Sequence, residues 1–318
     1  MARTSTKLQP AELAYTFLLP TSGSATTNYI SLAQAASFVN RRLYSQGKCY
    51  YVSRIVMSST SASTCVVSTL PDTWVTSNAW VKAKALWKEM NNKVLEDNPS
   101  TQGKWADFKV FFDIVHRNGG TNAAGPTLNL LPRDLTATEV RAGEWVMSEY
   151  VQPQHTVNTG TGEPLAADEY TAHMLGDNIA GSGSPDLIKS VGIIQGYSDT
   201  RARVQAEPNV PADMSTSWMT LLTDDGSQEP ELAQLIEDQN DLPPYDETEY
   251  VGGGNNFNTG VPQALLSTTS TLLVDKELGF KVPLGLLKVV SDGSAGTNLT
   301  IYLTPGSYKG VMATEVKQ

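Results

Sequence analysis

The sequence predicts an all-β chain, an antiparallel sandwich of jelly-roll type with long loop insertions that carry a few helices. Three observations predict it. About ten short runs rich in Val, Ile, Tyr and Thr either alternate apolar with polar residues or are apolar throughout, the patterns of half-buried and fully buried strands. Polar tips rather than helices join most of them, whereas a parallel α/β sheet needs a helix after nearly every strand. The charge is segregated as well: from Val204 to Asp275 there are thirteen acids and no Lys or Arg. Subtracting those thirteen from the formal net charge of -10 leaves the rest of the chain at +3. Like charges avoid a core, so this stretch reads as one charged, loop-rich excursion from a packed body.

Taken in order, Glu12 to Leu19 is apolar and β-prone and stops at Pro20, which predicts a strand. Tyr29 to Leu32 is a second strand, and Ala33 to Asn40 changes to helix-forming residues that end in Arg41 and Arg42, cations suited to a helix C-terminus. Lys48 to Ser58 and Thr64 to Leu70 are predicted as a hairpin with the polar tip Ser59–Ser63. Their cysteines, Cys49 and Cys65, are read as two buried free thiols, because cross-strand disulfides are geometrically demanding. From Asn78 to Pro99, Trp80, Ala83, Trp87, Met90 and Val94 recur every three or four residues, the spacing of an amphipathic helix. Trp80 and Trp87 lie on the face that such a helix buries, so their stripe is read as packing.

Further strands are predicted over Phe108 to Val115, ending at His116, over Glu144 to Gln152 and over Glu169 to Leu175. Ser184-Pro185-Asp186 is an N-terminal helix signal, and Leu187 to about Arg203 is predicted to start as a helix. Ser215 to Leu222 and Glu231 to Gln239 suit short helices within the acidic stretch. Gln263 to Val274, Phe280 to Val290 and Leu299 to Thr304 complete the strands, with the turn Ser291–Ser294 between the last two. The expected organisation is a single domain over 1–318, with a helical insertion over about 76–98 and the acidic insertion over about 204–261.

With 40% hydrophobic and only 18% charged residues, much of the surface must be neutral and polar, or covered by other subunits. A sequence pI near 4.8 argues against holding nucleic acid by general electrostatics. No run approaches a membrane span, and Met1-Ala2-Arg3-Thr4-Ser5 opens no secretory signal core. No phosphate-binding loop, nucleophile elbow, paired-cysteine zinc pattern or dinucleotide fingerprint occurs. His116, His155 and His173 have no neighbour at metal or triad spacing and are read as satisfied or solvated. The expected protein is therefore not an enzyme, has no cofactor and has no catalytic residue. Asp224, Asp225, Asp246 and Glu247 are the candidate ligands for calcium at subunit interfaces, as paired hard oxygen donors. A solvated acidic loop is the plainer reading of the same residues.

The chain resembles capsid proteins of small circular single-stranded DNA viruses of the kind known mainly from environmental sequencing. The resemblance lies in the opening Met1 to Leu13, in Leu70-Pro71-Asp72-Thr73-Trp74 with Val75 to Trp80, and in Gly143-Glu144-Trp145. It continues in Asp241-Leu242-Pro243-Pro244-Tyr245-Asp246 and in Pro305-Gly306-Ser307-Tyr308-Lys309-Gly310. It implies a major capsid protein of viral jelly-roll type that assembles inside the host cell, with many copies of itself, into an icosahedral virion shell that can meet a host receptor. Such proteins usually begin with an Arg-rich arm, whereas the first forty residues here hold only Arg3 and Lys7 as bases. Packaged single-stranded DNA would then be met weakly or indirectly, through folded-surface bases such as Arg41, Arg42, Lys82, Lys84, Lys88 and Lys93. The alternatives are a double jelly-roll capsid protein, which needs about sixteen strands, and a β-sandwich spike or glycan-binding module with exposed aromatics around Tyr245, Tyr250 and Phe257. A hydrolase on a β scaffold is the remaining rival.

Overall fold

The computed structural model describes residues 9–134, 136, 138–140, 142–152, 168–180, 188–202 and 260–316. In chain order, β1 (Ala14–Leu18) and β2 (Thr26–Ser31) lead into α1 (Leu32–Asn40), and β3 (Lys48–Ser58) and β4 (Ser63–Thr69) lead into α2 (Trp74–Asp97). Next come β5 (Phe111–Asp113), α3 (Ile114–Asn118) and the two-residue strands β6 (Thr121–Asn122) and β7 (Gly125–Pro126). They are followed by β8 (Glu149–Gln152), β9 (Asp168–Leu175), β10 (Ile179–Ala180), β11 (Ile188–Gly192) and α4 (Ile193–Ala202). The last part holds β12 (Val261–Thr268), β13 (Val274–Leu278), β14 (Lys281–Val282), β15 (Leu286–Ser291) and β16 (Asn298–Leu303). Short strands β17 (Pro305–Gly306), β18 (Gly310–Val311) and β19 (Ala313–Glu315) close the described chain. The described chain is mostly β-sheet, with several antiparallel sheets, as the all-β sandwich expectation requires.

It also divides into two compact units. The sequence reading makes 1–318 one domain, with insertions over about 76–98 and about 204–261. Instead, residues 72–117 and the described residues between 147 and 202 pack mainly on each other, as a body of their own, while 118–146 and 260–316 belong to the first unit.

The first unit holds two antiparallel sheets, one in the order β1-β16-β3-β13 and the other in the order β12-β4-β15-β2. Period-2 patterning decides which faces are buried. Tyr15 and Phe17 on β1, Leu299, Ile301 and Leu303 on β16, and Ile55 and Met57 on β3 are buried. So are Val67 on β4, Leu266 on β12 and Leu287 and Val289 on β15, while neighbours along each strand are more exposed. The predicted hairpin of β3 and β4 does not form: β3 pairs with β16 and β13, and β4 pairs with β12 and β15. Its polar tip carries the chain from one sheet to the other. Cys49 and Cys65 thus belong to different sheets, and both are buried thiols outside any disulfide, as expected. The predicted strand Gln263–Val274 divides into β12 and β13. Phe280–Val290 is broken at Pro283–Gly285, where Leu284 takes a left-handed φ of 56°.

Residues 128–133 run along the outer edges of both sheets. The Tyr29 N–H donates to Leu128 O at 2.9 Å, the Leu130 N–H to Tyr29 O at 2.8 Å and the Arg133 N–H to Thr16 O at 2.7 Å. Open strand edges invite pairing with other chains, and this strap covers β1 and β2 together. The buried Gln34 of α1 holds the strap, since its Nε2 donates to Ala124 O at 2.6 Å and its Oε1 accepts from Asn129 Nδ2 at 2.8 Å.

The second unit departs from the antiparallel expectation. β9 pairs in parallel with β5 and β11 and antiparallel with β8, and α2 and α4 pack with these strands. The predicted helix over about 76–98 is α2, which starts earlier because Thr73 caps it, accepting the Thr76 N–H on Oγ1 at 3.3 Å. Trp80 and Trp87 pack on Phe108, with ring centroids 4.9 and 5.6 Å apart. Phe108–Val115 is not one strand: only Phe111–Asp113 pairs, and the chain turns into α3 at Ile114. Every residue from Phe108 to Asp113 is buried, so neither side faces water and alternation says nothing there. Strand β8 is shorter than the predicted Glu144–Gln152. The predicted helix from Leu187 is a strand through Gly192 and a helix only from Ile193. A Cβ on Gly192 would sit 2.2 Å from Gly176 O, so glycine is needed where β11 passes that carbonyl. Ser184-Pro185-Asp186, and the predicted helices over 215–222 and 231–239, lie outside the described residues.

Candidate functional site

The first unit gathers cations and tyrosines around the start of β3. α1 ends at Arg41, an exposed residue in the left-handed conformation at φ 54°. That turn aims the chain so that the Tyr44 hydroxyl donates to Lys309 O at 2.7 Å and Arg42 Nη1 donates to the same oxygen at 3.3 Å. Burial raises the Tyr44 phenol above its ordinary pKa, with the nearby Arg42 charge opposing. The Tyr308 ring meets Tyr44 edge-on at 5.8 Å and Tyr50 at 6.5 Å, and its hydroxyl accepts the Ser45 N–H at 3.0 Å. Lys48 Nζ lies 4.8 Å and Lys309 Nζ 5.4 Å from the centre of that ring, within cation–π range. Lys309 Nζ also donates to Leu43 O, and Lys48 pairs with Glu315.

Arg42, Lys48 and Lys309 thus stand around fixed tyrosine rings, with Lys48 paired to Glu315 and Arg41 exposed next to Arg42 in the chain. Chemically this surface suits anionic groups, either phosphates or carboxylates. Sequence reasoning found Arg41 and Arg42 and missed Lys48 and Lys309. Lys309 is some 267 positions from Arg42, and only the Pro305–Gly310 turn marked its neighbourhood.

The other predicted genome-facing bases, Lys82, Lys84, Lys88 and Lys93, are on α2 of the second unit. At about 100° per residue, Lys84 and Lys88 fall on one side of that helix and Lys82 and Lys93 on the opposite side. Lys93 pairs with Glu89 at 3.8 Å. The candidate calcium ligands Asp224, Asp225, Asp246 and Glu247 lie outside the described residues, as do His155, Tyr245, Tyr250 and Phe257. Among the described residues no group of three or more His, Cys, Asp or Glu is arranged to hold a metal ion. Among them, too, no helix is long and apolar enough to cross a membrane.

Both described histidines are buried in the second unit. His116 lies on α3 rather than at a strand end. Its Nδ1 accepts the Phe112 N–H at 3.0 Å, and its own N–H donates to Asp113 Oδ1 at 2.8 Å. His173 Nδ1 and Ser190 Oγ are hydrogen-bonded at 2.8 Å, and Nε2 reaches Asp177 O at 2.9 Å. A histidine bonded to a serine is part of a nucleophile–base arrangement, a contact without any sign in the sequence. Both residues have 0% exposure, however, so the pair is a satisfied core interaction that no substrate reaches. Burial pushes the His173 pKa down to about 4. In the first unit a cleft of about 390 Å³ lies between the strap and Leu18 and Pro20, with the Arg133–Glu139 ion pair in its lining.

By its strands and its site, the chain is a β-rich protein with a basic, aromatic surface on its antiparallel unit. Compared with protein-family models, curated proteins and solved structures, it matches none.

Proposed function

We propose that the first unit is a single jelly roll and that the protein is a major capsid protein, which closes with copies of itself into an icosahedral shell around a viral genome. The observation that carries this reading is strand order. Counting only the eight principal strands in sequence, one sheet runs 1-8-3-6 and the other 5-4-7-2, so that every successive strand crosses to the other sheet except the fifth, which pairs with the fourth. Two interlocked Greek keys of this kind make a jelly roll, an architecture shared by viral capsid, lectin and cupin domains. Fold alone does not choose among them. The low charged fraction, the polar surface loops and the likeness to single-stranded DNA virus capsid proteins favour the shell. The parallel ladders of β9 weigh against reading the second unit as another jelly roll, and so against the double-barrel alternative.

Genome contact would fall to Arg41, Arg42, Lys48 and Lys309, and calcium at subunit interfaces to the acidic stretch. The test is negative-stain microscopy and light scattering of the purified chain across salt and calcium concentrations. Uniform hollow shells are the expected outcome. A chain that stays monomeric at high concentration throughout overturns the proposal.

A further inference from the structure

The outer face of the sheet β1-β16-β3-β13 carries positive charge that no acid of those strands answers. Tyr15 and Phe17, Leu299 and Ile301, and Ile55 and Met57 are buried in the sandwich, so by period-2 alternation their neighbours face out. Register then sets Thr16, Thr300, Val56 and Lys276 in one row across the four strands, and Tyr302 beside Arg54 in the next. Asp275 and Glu277 are the Cα partners of Met57 and Ile55 and belong to the opposite face. None of the outward residues of these four strands is acidic. Glu12 lies before β1 begins, and Glu139 is paired with Arg133. Arg54 and Lys276 are both exposed, and among the described residues neither pairs with a carboxylate.

Arg54 is also held in place. Its Cζ lies 4.0 Å from the centre of the Tyr302 ring, so the ring supports the guanidinium as a plane above the sheet. A guanidinium plane fixed in this way is a surface on which an unstacked base can lie. Leu278, the Cα partner of Arg54 and 85% exposed, adds apolar ground beside it.

The face continues to the strap. Arg133 bridges Thr16 and so ends the row that Lys276 begins, four strand spacings or about 19 Å away. Arg133 and Leu18 also line the cleft of about 390 Å³, so the row ends at a recess. Charge alone suits any polyanion. The supported guanidinium plane, with apolar ground beside it and no acid among the outward strand residues, favours a polyanion that carries flat rings as well as charge.

We infer that a single-stranded nucleic acid lies across this face, with a base stacked on the Arg54 guanidinium and a phosphate at Lys276. The inference deepens the capsid reading and rests on it for the identity of the strand as packaged DNA. The contact itself is measured apart from assembly.

The test follows a dye-labelled oligothymidylate by fluorescence anisotropy at several salt concentrations. The full chain is added below the concentration at which it assembles, and thermal melting confirms that each variant folds. Arg54→Ala is expected to weaken binding about tenfold, the loss of one stacked base. Arg54→Lys keeps the charge without the plane and is expected to recover only part of that loss. Lys276→Gln is expected to lower the slope of log K against log salt by about 0.7, one phosphate contact on a single strand. A wild-type chain that does not bind the oligonucleotide at low salt overturns the inference, as does binding that Arg54→Ala and Lys276→Gln both leave unmoved. Phosphatidylserine vesicles serve as the second ligand: variants that lose the vesicles and keep the oligonucleotide overturn it in favour of a lipid surface. Shell formation is read separately. A chain that binds through Arg54 yet never assembles overturns the capsid reading alone, and shells whose oligonucleotide contact ignores Arg54 and Lys276 overturn this inference alone.

Discussion

His173 shows how a buried group turns into a pH dependence. Its imidazole is neutral in the fold because burial lowers the pKa from 6.5 to about 4; the Asp113 carboxylate opposes that shift and the Arg117 guanidinium adds to it. The unfolded chain takes up the proton at the higher pKa. Stability is therefore full above about pH 6.5 and falls as the pH drops from there toward 4. Linkage puts the loss between pH 7 and pH 5 at about 2 kcal/mol from this group. Urea denaturation at the two values should show it, and His173→Gln should flatten most of the difference; an equally steep loss in the variant would assign it to other groups. At this scale the sequence was legible where a residue's role is local. The two free thiols and the packed Trp80 stripe were expected and are present. The His173–Ser190 bond and the joining of Lys309 to Arg42 were not, since each depends on strands or turns that meet only in the fold.

Elements were legible where one face is wet. β1, β3, β4 and β16 alternate and were found almost to the residue. β5, buried on both faces, and β11, which passes a carbonyl at Gly192, gave signals that belong equally to a longer strand or a helix. Which runs pair was not legible at all, because the polar tip between β3 and β4 fits a hairpin and a crossing between sheets equally well. The strap 128–133 lies where no strand or helix was predicted, yet it closes one side of the sandwich. Gln34 offers a way to test it. Gln34→Ala removes two hydrogen bonds and leaves the Ala124 carbonyl and the Asn129 amide to find other partners, at an expected cost of about 1–3 kcal/mol. The urea midpoint should fall and the variant should aggregate more readily as the β1 and β2 edges open. An unchanged midpoint would mean that the strap is held without Gln34.

At the scale of the whole molecule, the chain passes repeatedly between its two units. It leaves the first after residue 71, returns for 118–146 and returns finally at 260. Apart from the end of the acidic insertion near 261, no shift in composition marks these boundaries, which is why one domain was expected. If each unit is a cooperative block, the second can open while the first stays folded, since the excursions between them need only become loops, whose closure entropy rises slowly with length. Acid should separate the two. Both described histidines lie in the second unit, while Asp292 in the first, pushed up by burial but held below 3.8 by hydrogen bonds from Ser294, Thr64 and Ser63, keeps its charge at pH 5. Hydrogen exchange read by mass spectrometry at pH 7 and pH 5 should then show protection factors in β9 and β11 falling by up to about thirtyfold, the equivalent of 2 kcal/mol. Protection in β3, β15 and β16 should hold. Comparing protection factors removes the pH dependence of intrinsic exchange. Parallel losses in both sets of strands would show that the two units unfold as one block and that His173 controls the stability of both.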